Sequence, residues 1–332
     1  FNPYFIGFPT FSIAQSVFLF FTSLVKVPIN LYTYKMFHMI LIFSLIILTV
    51  HLLYLYLYRL NNSDYIVKSN LFIILLSITP FAQQCWQIRP EVFGDVLIVI
   101  SLVFFCHWKI FYKKIFYYFS ALFLGLSAAI HPNFMVVAGI LTIVIVGANY
   151  VRGNRFQSVL FGFVASIPVL LIGVWFLVYY PESVQEFRLQ IMGHKGVAGG
   201  IKRLVAEALM LGGWQSSFVK LFYFIFWFPF LSILVMTFAL IIKNMKSLFI
   251  RNTINMLLLP IVISIIILMI MNRGDDSYFV IYSFFITLVF VFVMRFGRQS
   301  YILSDNKRGV LSVFVLMCLI LMVFMHTSVH SV

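Results

Sequence analysis

Charge is scarce in this chain. Only 10% of its 332 residues are charged, nine are acidic, and 63% are hydrophobic. Soluble domains hold about 25% charged and about 45–50% apolar residues, so the composition excludes an ordinary soluble enzyme and a disordered segment. Cysteine is rare too. Cys85, Cys106 and Cys318 are far apart and lie in or beside apolar runs, with no CxxC or Cys/His zinc spacing. They read as buried free thiols, which excludes a disulfide scaffold and a zinc module. GxSxG, HExxH and nucleotide-binding glycine motifs are absent. No apolar run carries a row of arginines, which argues against a voltage sensor, and a proton-relay transporter finds little support. There are no solenoid-period repeats, no low-complexity linkers and no basic-then-apolar signal peptide.

What is present is apolar length. Ten segments are long enough, or nearly so, to cross a bilayer as helices of about 20 residues: 36–58, 69–87, 92–108, 115–131, 133–150, 158–180, 218–242, 253–272, 279–294 and 310–326. These runs exceed the alternating segments of a membrane β-barrel. The predicted fold is all-α, a single polytopic transmembrane helical bundle over residues 1–332. The 40 Phe and 17 Tyr suit a lipid-facing surface with aromatic belts.

The net charge of +14 sits in short clusters between apolar runs, so no continuous basic stripe exists for nucleic acid. Alternate loops hold Arg59 and Lys68; Lys109, Lys113 and Lys114; Arg152 and Arg155; Lys243, Lys246 and Arg251; and Arg295, Arg298, Lys307 and Arg308. Only Asp64 and Asp305 accompany them, so these loops are predicted to be cytoplasmic. The outer side is then expected to hold residues 1–35, 88–91, the 131–133 turn, a longer loop over 181–217, 272–278 and the C-terminal tip. By this parity Phe11–Val25 lies along the outer interface as a juxtamembrane helix; a short crossing helix is the alternative.

Seven of the nine acids fall at the outer side. Gln83, Gln84, Gln87, Arg89, Pro90, Glu91 and Asp95 form the sharpest polar cluster. If a helix begins near Pro90, Glu91 and Asp95 share one of its faces. Such a pair can supply a general base or position a hydroxyl, or can be a helix-start pair satisfied by Arg89. In Ile130-His131-Pro132-Asn133, Pro132 breaks the helix and turns His131 and Asn133 toward the outer mouth. There the imidazole could donate to a phosphate or accept a proton, or simply occupy a turn. Asn272-Arg273-Gly274-Asp275-Asp276-Ser277-Tyr278 forms a third cluster. Arg273 suits a phosphate, while Asp275 and Asp276 alone are a weak cation site. In the 181–217 loop, Gly193-His194-Lys195-Gly196 opens a glycine-rich stretch that could cover an anionic lipid substrate, with His194 and Lys195 lining it, or could be a plain connector.

Four of these stretches, in order, resemble the GT-C superfamily of integral-membrane glycosyltransferases, on the branch of protein O-mannosyltransferases and lipid A aminoarabinose transferases. Gly7-Phe8-Pro9 before Phe11–Val25 is similar to the family's juxtamembrane helix. Arg89-Pro90-Glu91 is similar to its second acidic site. Gly125-Leu126 through His131-Pro132 is similar to its Gly-rich helix and polar outer turn, and Asp275-Asp276-Ser277-Tyr278 to its late outer turn with a tyrosine.

The resemblance implies a sugar donor carried on a polyisoprenyl phosphate, a lipid, glycan or protein acceptor, and no organic cofactor. Glu91, supported by Asp95, would serve the acceptor hydroxyl. Arg89, His131 and Arg273 would hold the donor phosphate, and Asp275, Asp276 and Tyr278 would line the site. The implied location is a bacterial inner membrane with the active face outside. The family's main carboxylate lies in a first outer loop after a first span, so both are expected to precede Phe1. Phe8 stands where some relatives carry Lys. A lipid-linked oligosaccharide polymerase or ligase acting through Arg188, His194 and Arg203, and a lipid flippase or transporter, are the alternatives.

Overall fold

The structure is a computed structural model that describes residues 10–24, 26, 28, 31–59, 65–77, 79, 81, 90–179, 232–242, 260–267 and 279–294. Among these, all regular structure is α-helical. The elements are α1 (Thr10–Leu24), α2 (Leu31–Arg59), α3 (Tyr65–Ser77), α4 (Pro90–Phe111), α5 (Lys114–Ala128), α6 (Pro132–Val151) and α7 (Arg155–Tyr179), followed by α8 (Ser232–Ile242), α9 (residues 260–267) and α10 (Phe279–Val293). Four stretches, Tyr32–Tyr56, Glu91–Phe111, Asn133–Val151 and Arg155–Trp175, are long and apolar enough to cross a membrane. Val67–Ser77, Lys114–Ala128, Ser232–Ile242 and Ser283–Val293 are shorter apolar helices. The expected span over 310–326 and the 181–217 loop lie outside the described residues, as do Cys85 and Cys318. Cys106 is buried.

In hydrocarbon a chain must satisfy its backbone N–H and C=O groups internally, and a helix does so within one segment. The buried hydroxyls follow the same rule. Thr49 Oγ1 donates to Leu45 O at 2.7 Å, Ser127 Oγ to Leu124 O at 2.7 Å, and Thr287 Oγ1 to Ser283 O at 2.6 Å, each one turn back on its own helix. These hydroxyls therefore line no polar path. Ser101 is different: its Oγ crosses from α4 to donate to Ser120 O of α5 at 2.8 Å.

Prolines and tight turns set the helix order. Pro90 and Pro132 each open a helix, where the missing N–H costs nothing and the fixed φ is already helical. Tyr112 (φ 56°) and Lys113 join α4 to α5, residues 129–131 join α5 to α6, and a turn through Gly153 (φ +87°) joins α6 to α7. In packing, α4 lies between α2 and α5, α5 also meets α6 and α7, and α6 meets α7. The chain thus runs up and down. One end of α4–α7 carries Lys109, Lys113, Lys114, Arg152 and Arg155; the other carries Glu91 and His131.

The remaining helices join this block in register. His51, late in α2, meets His107, late in α4, so these two helices run parallel. Tyr56 near the end of α2 meets the ring of Phe292 near the end of α10 at 4.5 Å, so α10 also begins at the Glu91 end. Phe72 of α3 packs edge-on to Phe284 of α10 at 5.8 Å. On α1, Ala14, Phe18 and Thr22 recur every fourth residue and lie partly or fully buried, and Phe18 stacks obliquely on Phe37 of α2 at 4.9 Å. Its Val17, Phe20, Phe21 and Leu24 are exposed. The structure also begins α3 at Tyr65, so Lys68 lies in its first turn and is buried, rather than in the preceding loop.

One contact sets the closest approach in the block. A Cβ built on Gly125 of α5 would overlap the carbonyl oxygen of Ala165 on α7 and lie 2.9 Å from Pro168 Cδ. The obstacle is backbone, which cannot step aside. Gly125→Leu is therefore expected to destabilise the protein by about 1–3 kcal/mol or more. Melting of the purified protein in detergent checks this, with Gly139→Leu, where a Cβ meets nothing within 4 Å, as the control.

Candidate functional site

The polar rim is built by two helix starts. Pro90 places Glu91 in the first turn of α4, where the helix dipole favours a carboxylate. One turn on comes Asp95. Both side chains are buried, Glu91 at 5% exposure and Asp95 at 0%. Neither Asp95 oxygen has a hydrogen-bond partner among the described residues. A buried polar group without a partner costs about 1–3 kcal/mol, so Asp95 is a site where the fold gives up stability.

The second helix start is the α5–α6 turn. His131 is the N-cap of α6, with extended backbone at φ −156° and ψ 145°. The Asn133 N–H donates to His131 Nδ1 at 3.3 Å. A backbone N–H can only donate, so Nδ1 is unprotonated and the ring proton sits on Nε2. Burial pushes the His131 pKa from 6.5 down to about 4. The imidazole is therefore a neutral cap and an Nε2–H donor rather than a cation.

The two helix starts are adjacent. A Cβ on Gly94 of α4 would overlap the ring of Phe134 on α6, which is itself fully buried. Gly94 lies between Glu91 and Asp95 in sequence, and Phe134 follows the His131 turn by one helical residue beyond Asn133. The bare backbone at Gly94 thus lets the Phe134 ring lie against α4 between the carboxylates and the capped turn. α10 begins at the same end. Of the other predicted residues, Arg89, His194, Lys195, Arg273, Asp275, Asp276 and Tyr278 lie outside the described residues. Among the described residues, no group of three or more His, Cys, Asp or Glu could hold a metal ion.

The neutrality of His131 has a consequence for stability. Above pH about 6.5 the ring is neutral in both folded and unfolded chains. As pH falls from 6.5 toward 4, the unfolded chain binds the proton first, and the folded state loses stability. The loss is about 2 kcal/mol, allowing for the ring's partial exposure. Melting curves from pH 7.5 to 4.5 should show this decline in the parent protein and a shallower one in His131→Asn, which keeps a capping side chain without a titratable ring.

Two histidines inside the apolar helices, His51 and His107, were not among the predicted site residues. They touch across α2 and α4, with Nε2 atoms 3.2 Å apart. The signal available in the sequence was an ionisable ring within each apolar run; the pairing itself depends on helix packing. No family model matches the chain, and no curated protein and no solved structure matches it either.

Proposed function

We propose that the protein is a multi-pass membrane glycosyltransferase that moves a sugar from a polyisoprenyl phosphate to an acceptor hydroxyl at the outer face of a bacterial inner membrane. The observation that supports it is the placement of the buried Glu91–Asp95 pair and the His131-capped turn at one end of the bundle, where Phe134 packs on Gly94, opposite the Lys- and Arg-bearing turns. That end is read as the outer face because Lys and Arg gather on the cytoplasmic side of membrane proteins.

In this reading Glu91 takes the proton of the acceptor hydroxyl as it attacks the anomeric carbon, and Asp95, one helical turn on, supports Glu91. The leaving group is a lipid phosphate. Arg89 and Arg273 balance its charge, and the His131 Nε2–H donates a hydrogen bond. Asp275, Asp276 and Tyr278 line the acceptor side, and His194 and Lys195 cover the donor. The lipid tail stays in the bilayer, so only the sugar phosphate has to reach the rim.

Transfer from a radiolabelled polyprenyl-phosphate sugar, using the full reading frame in proteoliposomes, tests the proposal. Arg89→Ala and His131→Ala should each weaken donor use about tenfold or more. Turnover equal to the parent in both variants removes the site assignment. A second reading, a flippase or transporter, draws on Asp95, an ionisable group in the second turn of a long apolar helix. Movement of the lipid-linked sugar across the vesicle with its glycosidic bond intact would favour it.

A further inference from the structure

At the basic end of the bundle, remote from Glu91 and His131, two imidazoles face each other. His51 of α2 and His107 of α4 are 56 residues apart in the chain, with Nε2 atoms at 3.2 Å. Their ring centroids are 5.3 Å apart and the planes are inclined by 35°. Aromatic neighbours hold both rings in place. His107 stacks on Phe111 at 5.5 Å and 17° and packs obliquely on Phe116 at 5.5 Å, while His51 stacks on Tyr54 at 6.3 Å and 23°. Both histidines are partly buried. The proposed transfer reaction uses neither of them.

The spacing suits a shared ligand between the nitrogens. Imidazole nitrogens bind zinc at about 2.0–2.1 Å, which at tetrahedral geometry separates two ligating nitrogens by about 3.3–3.4 Å and at a right angle by about 2.9 Å. The observed 3.2 Å, at which one Nε2–H donates to the other Nε2, falls between these values, so an ion would take the place of that shared proton. Imidazole suits zinc, copper and nickel. We propose that His51 and His107 form a two-nitrogen clamp for a divalent transition-metal ion of this class, with water filling the remaining positions.

Among the described residues no third His, Cys, Asp or Glu joins the pair, so the ion is held in an open, exchangeable site. Metal on His107 Nε2 moves the ring proton to Nδ1. That atom is buried and has no hydrogen-bond partner among the described residues. Loss of such an outer partner typically costs 10–100-fold in metal affinity, so the clamp is a weak site. Binding would tie α2 to α4 at the end opposite the rim.

The test uses the full chain in detergent micelles and zinc chloride alone as the probe. The parent protein should melt at a temperature that rises with zinc concentration. His51→Gln and His107→Gln should each raise the half-maximal concentration about tenfold or more. An unchanged zinc response in the doubly substituted protein overturns the proposal, as does a parent protein that shows no response. Copper(II) loading of the parent, read by electron paramagnetic resonance, needs no variant to fold: superhyperfine structure from two imidazole nitrogens supports the clamp, and a spectrum without nitrogen ligation overturns it.

Discussion

Asp95→Leu is expected to raise the melting temperature of the protein while cutting sugar transfer by about a hundredfold or more. The gain in stability follows from burial. Asp95 is wholly enclosed, and both of its oxygens lack a hydrogen-bond partner among the described residues. The carboxyl group therefore gives up its hydration with little in return, at about 1–3 kcal/mol. Leucine matches its size approximately and removes that burden, a few degrees in a chain of this length. The loss of activity follows from position, one helical turn beyond Glu91 on the same helix. A group that lowers stability and raises activity is the usual exchange at a working site. Melting and transfer measured on one preparation decide the matter. A lower melting temperature for Asp95→Leu would mean that the carboxyl group stabilises the rim, and unchanged transfer would remove its role in support of Glu91.

Glu91→Gln is expected to lower kcat by roughly 10²–10⁴-fold with little change in KM for the donor. Glutamine keeps the shape of the side chain in the first turn of α4 and still carries a hydrogen-bonding oxygen, so the helix start is preserved. What it removes is the capacity to take a proton. The effect should therefore appear in the chemical step and not in donor binding, the reverse of the pattern expected for His131→Ala. Single-turnover kinetics with a labelled donor separates the two. Unaltered kcat in Glu91→Gln would exclude this carboxylate as the base.

Much of this architecture could be read before folding was considered. The apolar runs located α2, α4, α6 and α7, and Pro90 and Pro132 marked helix starts, because proline's fixed φ and missing N–H suit that position. The pairing of Glu91 with Asp95 on one helix also followed from their spacing. Other features depended on packing that no local pattern encodes. The packing of Phe134 against Gly94, and the facing rings of His51 and His107, join residues far apart in the chain. The positive charge just before the apolar run 69–87 assigns Lys68 to a loop, whereas α3 begins three residues earlier and buries it. The protonation of His131 could not be read either, since it depends on the Asn133 N–H and on burial in the turn.

The short turns at Tyr112–Lys113, residues 129–131 and Arg152–Asn154 leave α4 to α7 no slack. Each helix is tethered at its end to the next, and the backbones of α5 and α7 touch at Gly125 and Ala165. None of the four can slide lengthwise past its neighbour without unravelling a turn. Among the described helices, relative movement therefore falls at the seams that α2 and α10 make with this unit.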